Sequence, residues 1–215
     1  MKDSTYQQLE ERVRTFAEGE IFFPDSLSDL GTSDAVRSAL VRLCRSGQIV
    51  RVAQGIYCKP KIDTKWGLGV MLPGIREIAR AIAKRDRVKI VPCEDYVLNL
   101  LGLSSQVPVN AVFLTNGSPR RIKVGEGQGI LFQHTTEMRI FAYQSEMMQF
   151  VVMAVRAIGE NRVTEEQMRI LVSHLNQVPE EDYKADINLA PIWVRNLLNY
   201  KIWGYPQLLL KKGMS

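Results

Sequence analysis

The basic side chains between residues 32 and 61 are the group whose types and spacing could do chemistry. Asp34 is the one acidic residue in this stretch, so positive charge dominates it. A guanidinium group presents a planar fork of N–H donors that fits a phosphate or the edge of a guanine, and an ammonium group adds a compact charge. If these side chains are grouped on one surface, they would favour the binding of an anionic polymer. The basic residues are Arg37, Arg42, Arg45, Arg51, Lys59 and Lys61.

Residues 32 to 47 are predicted to form the helix that carries three of these arginines. Thr32 or Ser33 can cap its first turn, and Gly47 can end it. Apolar residues recur at three- and four-residue spacing and form a stripe that should be buried. This stripe consists of Val36, Ala39, Leu40, Leu43 and Cys44. The opposite, outward face carries Asp34, Arg37, Ser38, Val41, Arg42 and Arg45.

A short β-hairpin is predicted directly after this helix. Ile49, Val50 and Val52 precede a turn at Gln54-Gly55, and apolar residues follow the turn. Upstream, residues 3–18 have a helical pattern, residues 21–23 form an extended run that should fill the core, and a brief helix reaches Gly31. Helix, strand, helix, turn, helix and hairpin is the order of a winged helix-turn-helix.

In a winged helix-turn-helix, the second helix of the motif enters the major groove, and we expect the hairpin to lie along the phosphates. The alternative interpretation is an ordinary amphipathic helix with a solvated basic face. The hairpin, the scarcity of acids and the upstream helices favour DNA binding. The predicted DNA-contacting residues are Ser33, Arg37, Ser38, Val41, Arg42, Arg45, Arg51, Gln54 and Lys59.

No catalytic or metal-binding pattern is recognisable elsewhere, so we predict no enzyme activity, no metal and no cofactor. His134 and His174 have no Cys, Asp or Glu nearby at ligand spacing. Residues 125–129 alternate glycine with polar residues, but no helix follows to bind a phosphate. Gly117-Ser118 resembles the start of a nucleotidyltransferase motif, yet the required Asp-x-Asp pair does not follow.

Composition suggests a globular protein with two domains. The chain has 215 residues, 46% of them hydrophobic, with a net charge of +5. Three cysteines match no zinc or redox spacing and are expected to be free thiols in a reducing cytoplasm. The first residues show no signal-peptide core, and no apolar run is long enough to span a membrane. These features predict a cytoplasmic protein.

The predicted fold class is α+β, with a boundary in the Gly- and Pro-containing stretch from Pro60 to Pro73. Residues 1–66 would be the winged helix-turn-helix domain, and Trp66 would pack between the domains. Residues 71–215 would be a mixed α/β domain with a small sheet and a helical C-terminal tail. A strongly apolar helix after Ser145 would be its centre, and Arg139 to Tyr143 could be a further strand.

Two segments resemble a known family. Residues 47–57 (GQIVRVAQGIY) look like the wing of the AbiEi-type antitoxins of abortive-infection (type IV) toxin–antitoxin systems. Residues 91–108, with the run LGLSSQVP, and residues 113–117 (FLTNG) are similar to the second domain of related AbiEi-like bacterial proteins. The resemblance covers residues 31 to 143, and the tail around Pro191 also fits.

This resemblance implies a DNA-binding transcriptional autorepressor that is also an antitoxin. Its partners would be the double-stranded DNA of its own operon promoter and a cognate toxin of nucleotidyltransferase fold, without a need for stable direct contact between the two proteins. Two alternatives stay open. The chain could be a stand-alone transcriptional regulator whose second domain binds a small ligand, or an enzyme that acts on nucleotides through that domain.

Overall fold

The structure is a computed structural model that describes residues 4–65, 67, 69–125 and 127–204, with backbone alone for residues 200–204. Helices alternate with short strands, which confirms the predicted α+β class. The chain forms two compact units, Met1–Arg87 with Ile122–Ile130, and Val88–Arg121 with Leu131–Ser215. The sequence predicted a boundary between two separable domains at residues 66–71, and this boundary stays a prediction. The compact units of the structure first divide after Arg87.

The first unit begins with three helical segments and a β-hairpin, as the sequence predicts. Ser4 caps the first helix in a reciprocal capping box with Gln7. Thr32 caps the third by accepting a hydrogen bond from the backbone N–H of Ala35 at 3.3 Å. The elements are α1 (Thr5–Thr15), β1 (Ile21–Phe22), a 3₁₀ helix (Pro24–Leu30), α2 (Ser33–Arg45), β2 (Val50–Ala53) and β3 (Ile56–Cys58).

The three helical segments share one core under α2. The predicted apolar stripe of α2 is buried, apart from Cys44, which is half-buried. Phe22 joins this core, whereas Phe23 is buried elsewhere, under the guanidinium of Arg85 at 4.4 Å from the ring centre. The core residues are Leu9, Val13, Phe22, Leu27, Val36, Ala39, Leu40, Leu43, Ile49 and Tyr57.

Two close approaches set the angle between α1 and the elements before α2. A Cβ atom on Gly31 would lie 2.7 Å from the Thr5 hydroxyl oxygen, so only glycine allows this turn to pack against the start of α1. The Arg12 guanidinium and the Asp29 carboxylate are 2.9 Å apart and join α1 to the 3₁₀ helix. The turn and the 3₁₀ helix that precedes it both contact α1.

The predicted boundary stretch contains a second hairpin that the sequence pattern did not reveal. Its strands are β4 (Lys61–Asp63) and β5 (Gly69–Met71), which form a two-stranded antiparallel sheet. Trp66, the predicted interdomain residue, lies outside the described residues. The next helix, α3 (Ile75–Asp86), buries Ile78, Ala79, Ile82 and Ala83 and belongs to the first unit.

The second unit packs helices around strands that follow α3. The predicted apolar helix is confirmed as its buried centre, since residues 150–155 are all buried. The predicted strand at Arg139 to Tyr143 is wrong, because Met138–Phe141 is a 3₁₀ helix. The elements that follow α3 are β6 (Ile90–Pro92), α4 (Glu94–Leu100), β7 (Asn110–Thr115), β8 (Arg120–Val124), β9 (Gln128–His134), α5 (Glu146–Ile158), α6 (Glu165–Leu175), α7 (Glu180–Asp186) and α8 (Ile192–Gly204). Of these, Ile122–Ile130 in β8 and β9 belongs to the first unit.

The strand order within each unit follows from the pairing. In the first unit the order is β1-β3-β2-β8, and Ile21 and Val50 both pair with Cys58. In the second unit it is β9-β7-β6, and Val91 pairs with Leu114. Among the described residues, no helix combines the length and the apolar character needed to cross a membrane.

Candidate nucleic-acid interface

The arginine side chains on the outward face of α2 are exposed to solvent. Because the apolar stripe is buried in the helical core, Arg37, Arg42 and Arg45 are forced to the opposite side, where all three are exposed. The remaining predicted residues of this helix, Ser33, Ser38 and Val41, are exposed on it as well. The structure therefore brings six of the nine predicted residues together on one helix.

An ion pair on this face does not neutralise it. The Arg37 guanidinium lies 3.6 Å from the Asp34 carboxylate, and their side chains are 72% and 92% exposed. An exposed pair of this kind contributes about 0–1 kcal/mol and is screened by salt. Arg37 can therefore exchange this partner for another anion at little cost.

The β2–β3 hairpin places two more predicted residues beside α2. Arg51 is exposed on β2, and Gln54 is exposed in the turn before Gly55, whose φ of 69° suits a glycine. Burial raises the pKa of the Tyr57 phenol, and the positive charges of Arg51 and Arg37 oppose that rise. The two arginines, one from the hairpin and one from α2, therefore lie within electrostatic range of the same side chain.

Lys59 does not belong to this surface, although the sequence assigned it there. Its Nζ donates to the backbone carbonyl oxygens of Arg14 at 2.9 Å and Phe16 at 2.7 Å. The last carbonyls of a helix have no partner within the helix, and a cation is favoured at that end by the helix dipole. Lys59 thus closes the end of α1, and we leave it out of the interface.

A residue that sequence reasoning missed lies near the turn of this hairpin. Ala53 pairs with Val124 of β8, and the Gly125 backbone N–H donates to the Val52 carbonyl at 3.3 Å. The neighbour of Val124, Lys123, is exposed and belongs to the same compact unit. A lysine followed by a glycine-rich turn is a weak signal, and its partner strand lies far away in the sequence.

We call the exposed predicted residues of α2 and the β2–β3 hairpin the basic face. They are Ser33, Arg37, Ser38, Val41, Arg42, Arg45, Arg51 and Gln54.

One ring nitrogen of each histidine lies within hydrogen-bonding distance of a backbone carbonyl oxygen, and the Cys93 side chain is buried. His134 Nδ1 is 2.9 Å from the Gly117 carbonyl oxygen, and His174 Nε2 is 3.0 Å from that of Leu101. Burial raises the pKa of the Cys93 thiol to about 12, which leaves it protonated and unreactive at neutral pH. Within the described residues, no three His, Cys, Asp or Glu side chains are grouped so that they could hold a metal ion.

The FLTNG run hydrogen-bonds the end of β7 to Lys89, the residue before β6. The Thr115 hydroxyl donates to the Lys89 carbonyl at 2.9 Å and accepts from the Gly117 N–H at 3.0 Å. The Asn116 side-chain oxygen accepts from the Lys89 N–H at 2.7 Å. A Cβ atom on Gly117 would lie 2.6 Å from a Val88 methyl carbon. The resemblance of Gly117-Ser118 to a nucleotidyltransferase motif therefore has a packing explanation.

The LGLSSQVP run forms an ordered loop after α4. The Asn99 side-chain nitrogen donates to the carbonyl oxygens of Ser104 at 3.3 Å and Gln106 at 3.1 Å. With the loop in this conformation, the Val107 and Val109 side chains are 71% and 66% exposed. The LGLSSQVP and FLTNG runs, two of the segments behind the family resemblance, thus have identifiable structural roles in the second unit.

The chain is a mixed α+β protein whose first unit displays a basic helix face beside a hairpin. It belongs to a family of unknown function, DUF6088, whose model matches residues 8–183. No curated protein matches the chain. Because this family has no assigned function, the likeness to AbiEi-type antitoxins stays a prediction.

Proposed function

We propose that the first unit is a winged helix-turn-helix that binds double-stranded DNA. The observation that carries this proposal is the basic face, where exposed arginines of α2 stand beside the β2–β3 hairpin. The order of α1, β1, the 3₁₀ helix, α2 and the hairpin, with β3 between β1 and β2, supports it. The 3₁₀ helix and α2 would be the two helices of the motif, and the hairpin would be the wing.

In this proposal α2 enters the major groove. The groove is about 12 Å wide and admits a helix, and arginine binds the O6 and N7 atoms of guanine through two hydrogen bonds. Arg42 and Arg45 would read bases, with Ser38 and Val41 on the same face of the helix. Arg51 and Lys123 would contact phosphates, which fixes position without reading sequence.

The experiment that tests DNA binding uses the full chain and a labelled duplex from upstream of its own gene. The triple variant Arg37→Ala, Arg42→Ala and Arg45→Ala should lose most of its affinity in a fluorescence anisotropy titration, because its helix face loses three positive charges and keeps the negative charge of Asp34. Arg169→Ala, an exposed arginine of α6, is the matched control and should bind like the wild type. Equal affinity of the triple variant and the wild type would disprove the assignment of this face.

We further propose that the protein represses its own operon and counteracts a toxin of nucleotidyltransferase fold. The support is the resemblance of the GQIVRVAQGIY, LGLSSQVP and FLTNG segments to AbiEi-type and AbiEi-like proteins. Co-expression with the neighbouring gene, with growth as the readout, tests this half. The triple arginine variant separates the two activities, because it should lose repression and keep protection. Loss of protection in a folded triple variant would mean that neutralisation acts through repression.

The second candidate function is a stand-alone regulator that responds to a ligand. Its ligand would be sought first in a solvent-open cleft of about 730 Å³ in the second unit, lined by Glu160, Asn161, Ile192, Trp193, Asn196 and Leu197. Growth that does not depend on the chain when the neighbouring gene is expressed, together with specific promoter binding, would select this candidate over the antitoxin.

A further inference from the structure

The β4–β5 hairpin of the first unit exposes apolar side chains on a very small sheet. Ile62 pairs with Val70, and these two side chains are 59% and 57% exposed. Met71 and Leu72 follow at 42% and 53%. Neighbouring exposed apolar groups of this kind mark interaction sites more often than isolated ones do.

The hairpin also has free strand edges. Among the described residues, β4 pairs with β5 alone, so its other side presents backbone N–H and C=O groups without a neighbouring strand. Such an edge is a template for pairing with another chain. Lys61 and Ile62 on this strand are exposed, so a second strand can reach it.

The charges on β4 favour a second copy of the same strand. We infer that two copies of this chain associate by antiparallel pairing of β4 with β4, around a twofold axis at Ile62. In this register Ile62 of one copy faces Ile62 of the other. Lys61 of each copy then faces Asp63 of the other, so both ends of the pairing join opposite charges. The Asp63 carboxylate also accepts from the backbone N–H of Lys65 at 3.1 Å within its own copy.

No such complementarity exists for β5. Its residues are Gly69, Val70 and Met71, so self-pairing would join no charges and would place a glycine at each end. Glycine weakens a strand because it has more conformational freedom to lose and no side chain to pack. A symmetric interface in which one surface pairs with its own copy is the commonest way for soluble proteins to form dimers.

The interface is small, so the dimer should be weak and dependent on concentration. Each β4 strand has three residues, and the exposed apolar side chains beside it are few. Interfaces that bury less than about 1,200 Å² in total are typical of transient association. This association is independent of the proposed DNA binding, and its test is made without DNA.

The first test measures oligomeric state by sedimentation velocity over a concentration series. Wild type should shift from monomer to dimer as concentration rises, and Ile62→Asp should stay monomeric, because the substitution places two carboxylates at the axis. Val107→Asp changes an even more exposed apolar residue, in the second unit, and should dimerise like the wild type. A wild type that is monomeric throughout, or an Ile62→Asp variant that still dimerises, overturns the proposal.

A second test reports the register and does not depend on weakening the hairpin. Ile62→Cys places a thiol at the axis, so mild oxidation should join two copies rapidly through a disulfide. Val107→Cys is the control and should cross-link much more slowly. Equal rates for these two variants would rule out the Ile62 axis.

The charge pairing is tested by two substitutions of one residue. Lys61→Glu should raise the dimer dissociation constant by about tenfold at low salt, because each copy then repels the Asp63 carboxylate of the other at both ends. Lys61→Gln removes the attraction without the repulsion and should have a smaller effect. If Lys61→Glu and Lys61→Gln dimerise as well as the wild type, the proposed register is wrong.

Discussion

The carboxylate of Asp186 accepts a hydrogen bond from the backbone N–H of Ser145 at 2.8 Å, which ties α7 to the start of α5. Its other oxygen accepts from the Gln144 N–H at 2.9 Å. Asp186 is 1% exposed, and among the described residues of the second unit it and Thr115 are the buried polar side chains. A negative charge is favoured at the start of a helix by the helix dipole.

Asp186→Ala should lower the free energy of unfolding by about 3 kcal/mol, because two part-buried backbone N–H groups lose a charged acceptor. Glu181→Ala removes an exposed carboxylate from the same helix and should cost less than about 1 kcal/mol. Urea denaturation followed by circular dichroism measures both. Similar losses in the two variants would show that Asp186 contributes no more than a surface charge.

Gly117→Ala should destabilise the protein by about 1–3 kcal/mol, because the added methyl group overpacks a contact 2.6 Å from Val88. Val88→Ala in the same chain removes the clashing methyl groups. The double variant should therefore be more stable than the sum of the single losses predicts. Thermal unfolding of the four proteins gives this coupling, and simple additivity would mean that Val88 is not the obstacle.

We expect Lys59 to contribute to folding stability and Lys123 to contribute to DNA binding. Lys59→Met should lower the free energy of unfolding by about 1–3 kcal/mol, because two carbonyl groups at the end of α1 lose their donor. Lys123→Met should leave stability unchanged and should reduce the log–log salt slope of DNA binding by about 0.9. Urea denaturation and anisotropy titrations over a salt series check both variants, and a reversed pattern would contradict the placement of these residues.

Arg42→Ala and Arg45→Ala should relax sequence preference, at about 1–3 kcal/mol for each lost base contact. Arg51→Ala should instead weaken operator and random DNA about equally, because phosphates carry no sequence information directly. Competition of both duplexes against a labelled operator separates the two effects. Uniform weakening by all three variants would indicate that α2 contacts phosphates and reads no bases.

Cys93 should make stability fall as the pH rises above 9. Burial raises the pKa of this thiol from 9.0 to about 12 in the folded chain. Between these values the unfolded thiol loses its proton while the folded thiol keeps it, which favours unfolding. Cys93→Ala should therefore show a shallower decline between pH 9 and 11 in urea denaturation. An identical pH dependence in both proteins would show that this thiol does not contribute.

The cysteines should also differ in their reactivity towards an alkylating reagent. The pKa of Cys44 and that of Cys58 are both raised by burial, and Cys58 is the more deeply buried of the two. The native chain should react slowly, first at Cys44, whereas the unfolded chain without reductant should react at all three. Mass spectrometry of the products counts the sites, and fewer than three in the unfolded chain would reveal a disulfide.

Much of the first unit could be predicted because its signals are local. The cap at Thr32, the buried stripe of α2 and the turn at Gly55 each depend on residues a few positions apart. Once the stripe is buried, the helical repeat forces Arg37, Arg42 and Arg45 outward. The basic side of α2 therefore followed from the sequence alone.

The tertiary structure decided which distant groups meet. Ala53 pairs with Val124, and this pairing brings Lys123 to the hairpin, although neither segment carries a signal for the other. Lys59 was assigned to the basic face by its charge, but the end of α1 takes its ammonium group. A backbone edge or a helix end accepts many partners equally well, so only the packing of the whole chain selects among them.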